Sequence, residues 1–97
     1  MIRVMHVIGN LRLGGGQKLT ALVVEGLSPG RFEASVCCLE EAGFYAERLR
    51  QAGRPVFELG GRRDYSVRGT LRSAASLRQM VQVIRTARPD IVHTHLF

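Results

Sequence analysis

The sequence predicts an α/β fold, a Rossmann-like parallel sheet of about four strands in the order 3-2-1-4 with helices on both faces. Two observations point to it: short, mostly apolar runs alternate with stretches of helical periodicity along the 97 residues, and the runs are apolar enough to be covered on both sides. Parallel neighbours need crossovers, and crossovers are right-handed, which leaves few orders for a β-α-β-α-β-α-β chain.

Each element has its own signal. Residues 2–8, with Ile2, Val4, Val7 and Ile8, read as the first strand. Residues 17–28 read as a helix with Leu19, Leu22, Val23 and Leu27 on one face, ending before Ser28-Pro29-Gly30. Phe32 to Leu39 is the second strand. Residues 44–52 form a short helix with Phe44, Leu49 and Ala52 turned inward, closed by Gly53. Pro55 to Leu59 is the third strand, and Gly60 to Gly69 is a loop by its glycines and charges. From Thr70 to Arg88, the spacing of Leu71, Ala74, Leu77, Met80, Val81 and Ile84 gives the longest helix, stopped by Pro89, and residues 90–96 make the last strand.

Composition narrows the function. With 45% hydrophobic and 23% charged residues, the chain is one globular unit, and no internal repeat or low-complexity tract interrupts it. The net charge of +6 is basic, but the arginines are scattered and only six residues are aromatic, so a nucleic-acid stripe with stacking platforms is not expected. Cys37 and Cys38 are adjacent on a strand, point to opposite faces and match no metal spacing, which suits small buried hydrophobes in a reducing compartment. No run approaches the ~20 apolar residues that cross a bilayer, and no secretory leader is legible. The expected location is cytoplasmic, or peripheral at the anionic inner face of a membrane.

Two sequences carry the chemistry. Gly14-Gly15-Gly16 follows the first strand and precedes a helix, where backbone amides meet anions. Pro89-Asp90-Ile91-Val92-His93-Thr94-His95 delivers two histidines to the carboxyl end of the fourth strand. In a 3-2-1-4 sheet these meet at the switch point between strands 1 and 4, where such sheets bind ligands. His93 and His95 share a face, yet no third metal ligand is evident, so no metal and no cofactor is expected; His6, mid-strand, reads as structural. Arg62, Arg63 and Arg68 lie in a basic loop that suits an anionic acceptor or simply solvent.

His6-Val7-Ile8, Leu13-Gly14-Gly15-Gly16-Gln17, Phe32-Glu33-Ala34-Ser35-Val36 and Arg88-Pro89-Asp90-Ile91-Val92-His93-Thr94-His95 together resemble the amino-terminal domain of family 4 glycosyltransferases of the two-domain GT-B fold. The resemblance implies transfer of a sugar, of hexosyl type, from a nucleotide-sugar donor to an acceptor, metal-independent and with retention. It implies that residues 1–97 are part of the acceptor-side domain, that a donor-binding carboxyl-terminal domain is missing, and that this part alone is inactive. By position, Gly15, Gly16 and Gln17 match the loop that meets donor and acceptor, and His95 matches the catalytic histidine beside the transferring sugar. Where the family often has alanine then glutamate, this chain has Gly16 and Gln17.

Two other readings stay open. Strand, glycines, helix and Glu40 after the second strand also suit a dinucleotide (NAD or FAD) domain, although Leu19 stands where a third small residue belongs. A non-catalytic binding module would use the exposed edge strand as its partner surface.

Overall fold

The computed structural model describes residues 1–60 and 67–95, the side chains of 67–74 and 76 excepted. Among the described residues seven elements follow one another: β1 (Ile2–Ile8), α1 (Gly15–Gly26), β2 (Phe32–Cys38), α2 (Phe44–Gln51), β3 (Val56–Glu58), α3 (Val67–Ala87) and β4 (Ile91–Thr94). The strands form one parallel sheet in the order β3-β2-β1-β4. This is the order expected from alternation and crossover handedness.

Alternating side chains split the core into two layers. Above the sheet, Ile8, Ala34, Val36, Cys38 and Val56 pack with Leu11, Ala21, Val24, Tyr45, Ala46 and Leu49 of α1, α2 and their loops. Below it, Met5, Val7 and Cys37 pack with Phe57 and with Met80, Val83, Ile84 and Ala87 of α3. Cys37 and Cys38 thus lie on opposite faces, both free and fully buried. Burial pushes their thiols up to about 11 and about 12.

The helix ends follow from local chemistry. Gly43 precedes α2 at φ +92, and a Cβ there would stand 2.8 Å from the Arg12 backbone nitrogen, so both conformation and space demand glycine. The buried Arg54 guanidinium donates to the carbonyl oxygens of Leu27 and Phe32, which ties the end of α1 to the start of β2. After α3, Arg88 turns left-handed at φ 50, its amide donates to the Ile84 carbonyl, and Pro89 forbids another turn.

Helix faces are where the expectations fail. The buried residues of α1 are Thr20, Ala21 and Val24, whereas Leu19, Leu22 and Val23 are exposed. Small side chains let the helix settle close to the sheet, and the larger apolar ones are displaced to its flank. On α2 the buried residues are Tyr45, Ala46 and Leu49, while Phe44 and Ala52 lie outside. On α3, Met80 and Ile84 pack as expected, but Leu77 and Val81 are exposed. That helix also begins at Val67, three residues earlier than its periodicity suggests. Of the expected basic loop, residues 61–66, with Arg62 and Arg63, lie outside the described residues, as do the terminal Leu96 and Phe97, whereas Arg68 belongs to α3 and not to a loop.

Candidate active-site groove

β4 pairs with β1 in the register Val4↔Ile91, Met5↔Val92, His6↔His93 and Val7↔Thr94, and the His95 amide extends the ladder by donating to the Val7 carbonyl at 2.9 Å. His6, His93 and His95 therefore stand on one face, the face that carries α1. Asp90 starts the pairing with a reciprocal exchange: its amide donates to the Arg3 carbonyl, and its carboxylate accepts from the Arg3 amide, both at 2.8 Å.

Between that face and the flank of α1 runs a groove of about 530 Å³, lined by Ile8, Gly16, Gln17, Leu19, Thr20, Val23, His93 and His95. The expected meeting of the glycine run with the tip of the fourth strand is thus present. Gly16, Gln17 and His95 line the groove, whereas Gly15, the first residue of α1, is not among its lining residues. A smaller cavity of about 270 Å³ opens at the amino ends of the strands, between Arg54 and Pro89, away from the glycine run and the histidines.

The glycine loop ends in a helix start that no side chain caps. Its first amides have no intrahelical partner and carry the positive end of the helix dipole. Among the described residues a Cβ on Gly15 or Gly16 would meet nothing within 4 Å, so packing of α1 onto the sheet does not require glycine at either position. Gly14 differs, because a Cβ there would collide with the Gln17 carboxamide.

That carboxamide belongs to a small network. Gln17 Nε2 donates to Asn10 Oδ1 at 3.3 Å, the Arg12 amide donates to the same oxygen at 3.1 Å, and Asn10 Nδ2 donates to Glu40 Oε2 at 2.8 Å. Asn10 is the hub of the loop and was not singled out by sequence; its only signal is an asparagine placed two residues before a turn amide. Glu40, the acid that the alternative dinucleotide reading uses, accepts the Asn10 bond and so braces the loop.

The histidines form a compact triangle. Ring centroids are 5.1 Å apart for His6 and His93, 5.1 Å for His6 and His95, and 4.4 Å for His93 and His95. His6 Nδ1 and His95 Nε2 share a hydrogen bond at 2.9 Å, while His6 Nε2 is buried and has no partner among the described residues. Burial first, then the charges His95 and His93 would carry, pushes His6 down from 6.5 to about 4, and burial followed by His93 lowers His95. Both rings are therefore neutral near pH 7. A buried orphan is least costly as a bare lone pair, so the favoured tautomer has His6 Nδ1–H donating to His95, which leaves His95 with its own proton on Nδ1.

From alternation alone, His93 and His95 share a face and a mid-strand His6 reads as structural. Only the β1–β4 register shows that it stands directly beside His93.

Comparison with known proteins gives one finding that bears on this geometry. Residues 14–97 match the family model described as a glycosyl transferase 4-like domain, a span that begins at the glycine run and includes every residue lining the groove except Ile8. No curated protein and no solved structure matches the chain.

Proposed function

The chain belongs to the glycosyl transferase 4-like family, and from that membership we propose that its groove hosts hexosyl transfer from a nucleotide-sugar donor to an acceptor, metal-independent and with retention of configuration. The observation that carries this reading is the shared groove: an uncapped glycine helix start on one wall and His95 on the other. Transfer breaks the bond between the sugar and the diphosphate, so negative charge grows on the leaving oxygen. Amides at Gly15 and Gly16 suit that charge, and the absence of a Cβ lets it come close.

His95 supplies the opposite wall. As a neutral ring with its proton on Nδ1, it donates a hydrogen bond to a sugar hydroxyl or to the departing phosphate oxygen. His6 acts through His95, holding its tautomer by the 2.9 Å bond. Gln17 lines the same groove with a carboxamide in place of a carboxylate, which orients hydroxyls but gives no proton at neutral pH.

The remaining donor contacts belong, in this reading, to a second Rossmann-like domain that these 97 residues do not contain. The net charge of +6 supports an acceptor presented at an anionic surface, such as the inner leaflet of a membrane. Among the described residues, no helix is long and apolar enough to cross one.

The test is His95→Ala in the enzyme that carries this domain, with release of nucleoside diphosphate as the readout. Turnover should fall about tenfold or more, the usual loss for one charge-stabilising donor, with the circular dichroism spectrum unchanged. Unchanged turnover removes His95 from the chemistry.

A further inference from the structure

We propose that His6, His93 and His95 form a binding site for one divalent transition-metal ion of the zinc type, with three imidazole ligands and a fourth position open to the groove. One ring nitrogen from each histidine lies within 4.8 Å of the other two. A tetrahedral zinc site, with Zn–N near 2.0–2.1 Å, separates its ligand nitrogens by about 3.4 Å. The rings must therefore close by roughly 1 Å.

The strands already do most of the positioning. His6 and His93 are direct partners on adjacent strands, and His95 is two residues farther along the same face of β4. The three rings are only 20° to 36° from parallel, so their lone pairs do not yet converge. Convergence requires rotation about the terminal ring torsion, which is broad and soft in histidine. His93 is exposed and His95 half-buried, so two of the three rings have room to turn.

His6 is the member that needs explaining. It is buried between Val4 and Ile8, among the described residues it makes no hydrogen bond to backbone or carboxylate, and one ring nitrogen has no partner there. As filler, such a residue costs stability that an aliphatic side chain would not. As the deepest of three imidazoles, its lone pair has a use.

The ligand chemistry sets the ion. Three neutral nitrogens and no carboxylate suit zinc, cobalt, nickel or copper, and do not suit magnesium or calcium, which require oxygen. His93 and His95 line the groove and His6 stands directly beside His93, so a fourth position would face the groove and be open to water. The site rests on the geometry of the imidazoles rather than on the sugar-transfer reading, but the two share His95, so an ion held there and the metal-independent transfer proposed above exclude one another.

The experiment is a Co²⁺ titration of the chelator-treated protein, followed by visible absorption, with Zn²⁺ as competitor and Mg²⁺ as control. The expected result is saturation at one equivalent, with the intense bands of four-coordinate cobalt, displacement by zinc and no response to magnesium. His93→Ala, at an exposed position, should weaken binding about tenfold or more while the fold persists. His95→Ala should do the same, which covers the case that a change at the buried His6 disturbs folding. A titration without a saturable four-coordinate signal overturns the proposal, as does His93→Ala and His95→Ala binding as tightly as the native protein.

Discussion

Two glycines illustrate how much one missing methyl group can mean. Gly43 has a left-handed φ and the Arg12 backbone in the way, whereas Gly15 is helical with open space beside it. Gly43→Ala should destabilise the protein by on the order of 2 kcal/mol. Gly15→Ala should leave stability unchanged or raise it by up to about 1 kcal/mol, while donor affinity falls. Chemical denaturation and a binding titration on the same two variants check both statements, and equal destabilisation would mean that Gly15 is structural. At His6 the relevant variable is pH. An unfolded histidine takes its proton near pH 6.5 and the folded one only near 4, so between those values the unfolded chain binds more protons. Stability is therefore complete above about pH 6.5 and declines as pH falls toward about 4, by at most on the order of 3 kcal/mol, and His95 pushes the same way. Urea midpoints of metal-free protein should trace that decline, with a flatter profile for His6→Leu; an equally steep profile would absolve His6. None of this was legible at a lone mid-strand histidine, since alternation gives its face but not the identity of its neighbour on the next strand.

Among the elements, the strands and their order were readable, and the helix faces only in part: Leu49, Met80 and Ile84 pack as expected, whereas Leu19, Phe44 and Leu77 are exposed. Uniformly apolar runs and right-handed crossovers leave little freedom in a parallel sheet, which is why 3-2-1-4 follows from the pattern. A helix offers more than one apolar stripe, and periodicity does not say which stripe meets the sheet. Helix α1 settles on Thr20, Ala21 and Val24 and turns Leu19 and Val23 into the groove wall, so the residues assigned to the core belong to the candidate site. Leu49→Ala, which empties a fully buried position on α2, should cost about 2–5 kcal/mol. Leu19→Ala should cost under about 1 kcal/mol, because its side chain is already 64% exposed. Thermal denaturation of the two variants decides the assignment, and a large loss at Leu19 would reverse it.

For the molecule as a whole, the meeting of the glycine run and the fourth strand was visible in advance because both lie at carboxyl ends of neighbouring strands, a property of topology rather than of side-chain detail. The Asn10 network was not, since a single loop asparagine has many possible partners. The paired thiols offer a direct test of the two-layer packing. Cys37 faces α3 and Cys38 faces α1 and α2, both fully enclosed and both held protonated by burial. Neither should react with a thiol reagent at pH 8 until the sheet opens, and both should then appear together. One thiol reacting early would show that a layer lifts by itself.

Among the described residues β4 is hydrogen-bonded on one side alone, to β1, and its four residues are all exposed. A molecule lodged between His95 and the first turn of α1 presses on both at once. It works as a clasp, fastening a lightly held border strand to the layer above. Occupancy then reinforces the fold at its weakest seam, and the melting temperature climbs with the concentration of whatever fits there.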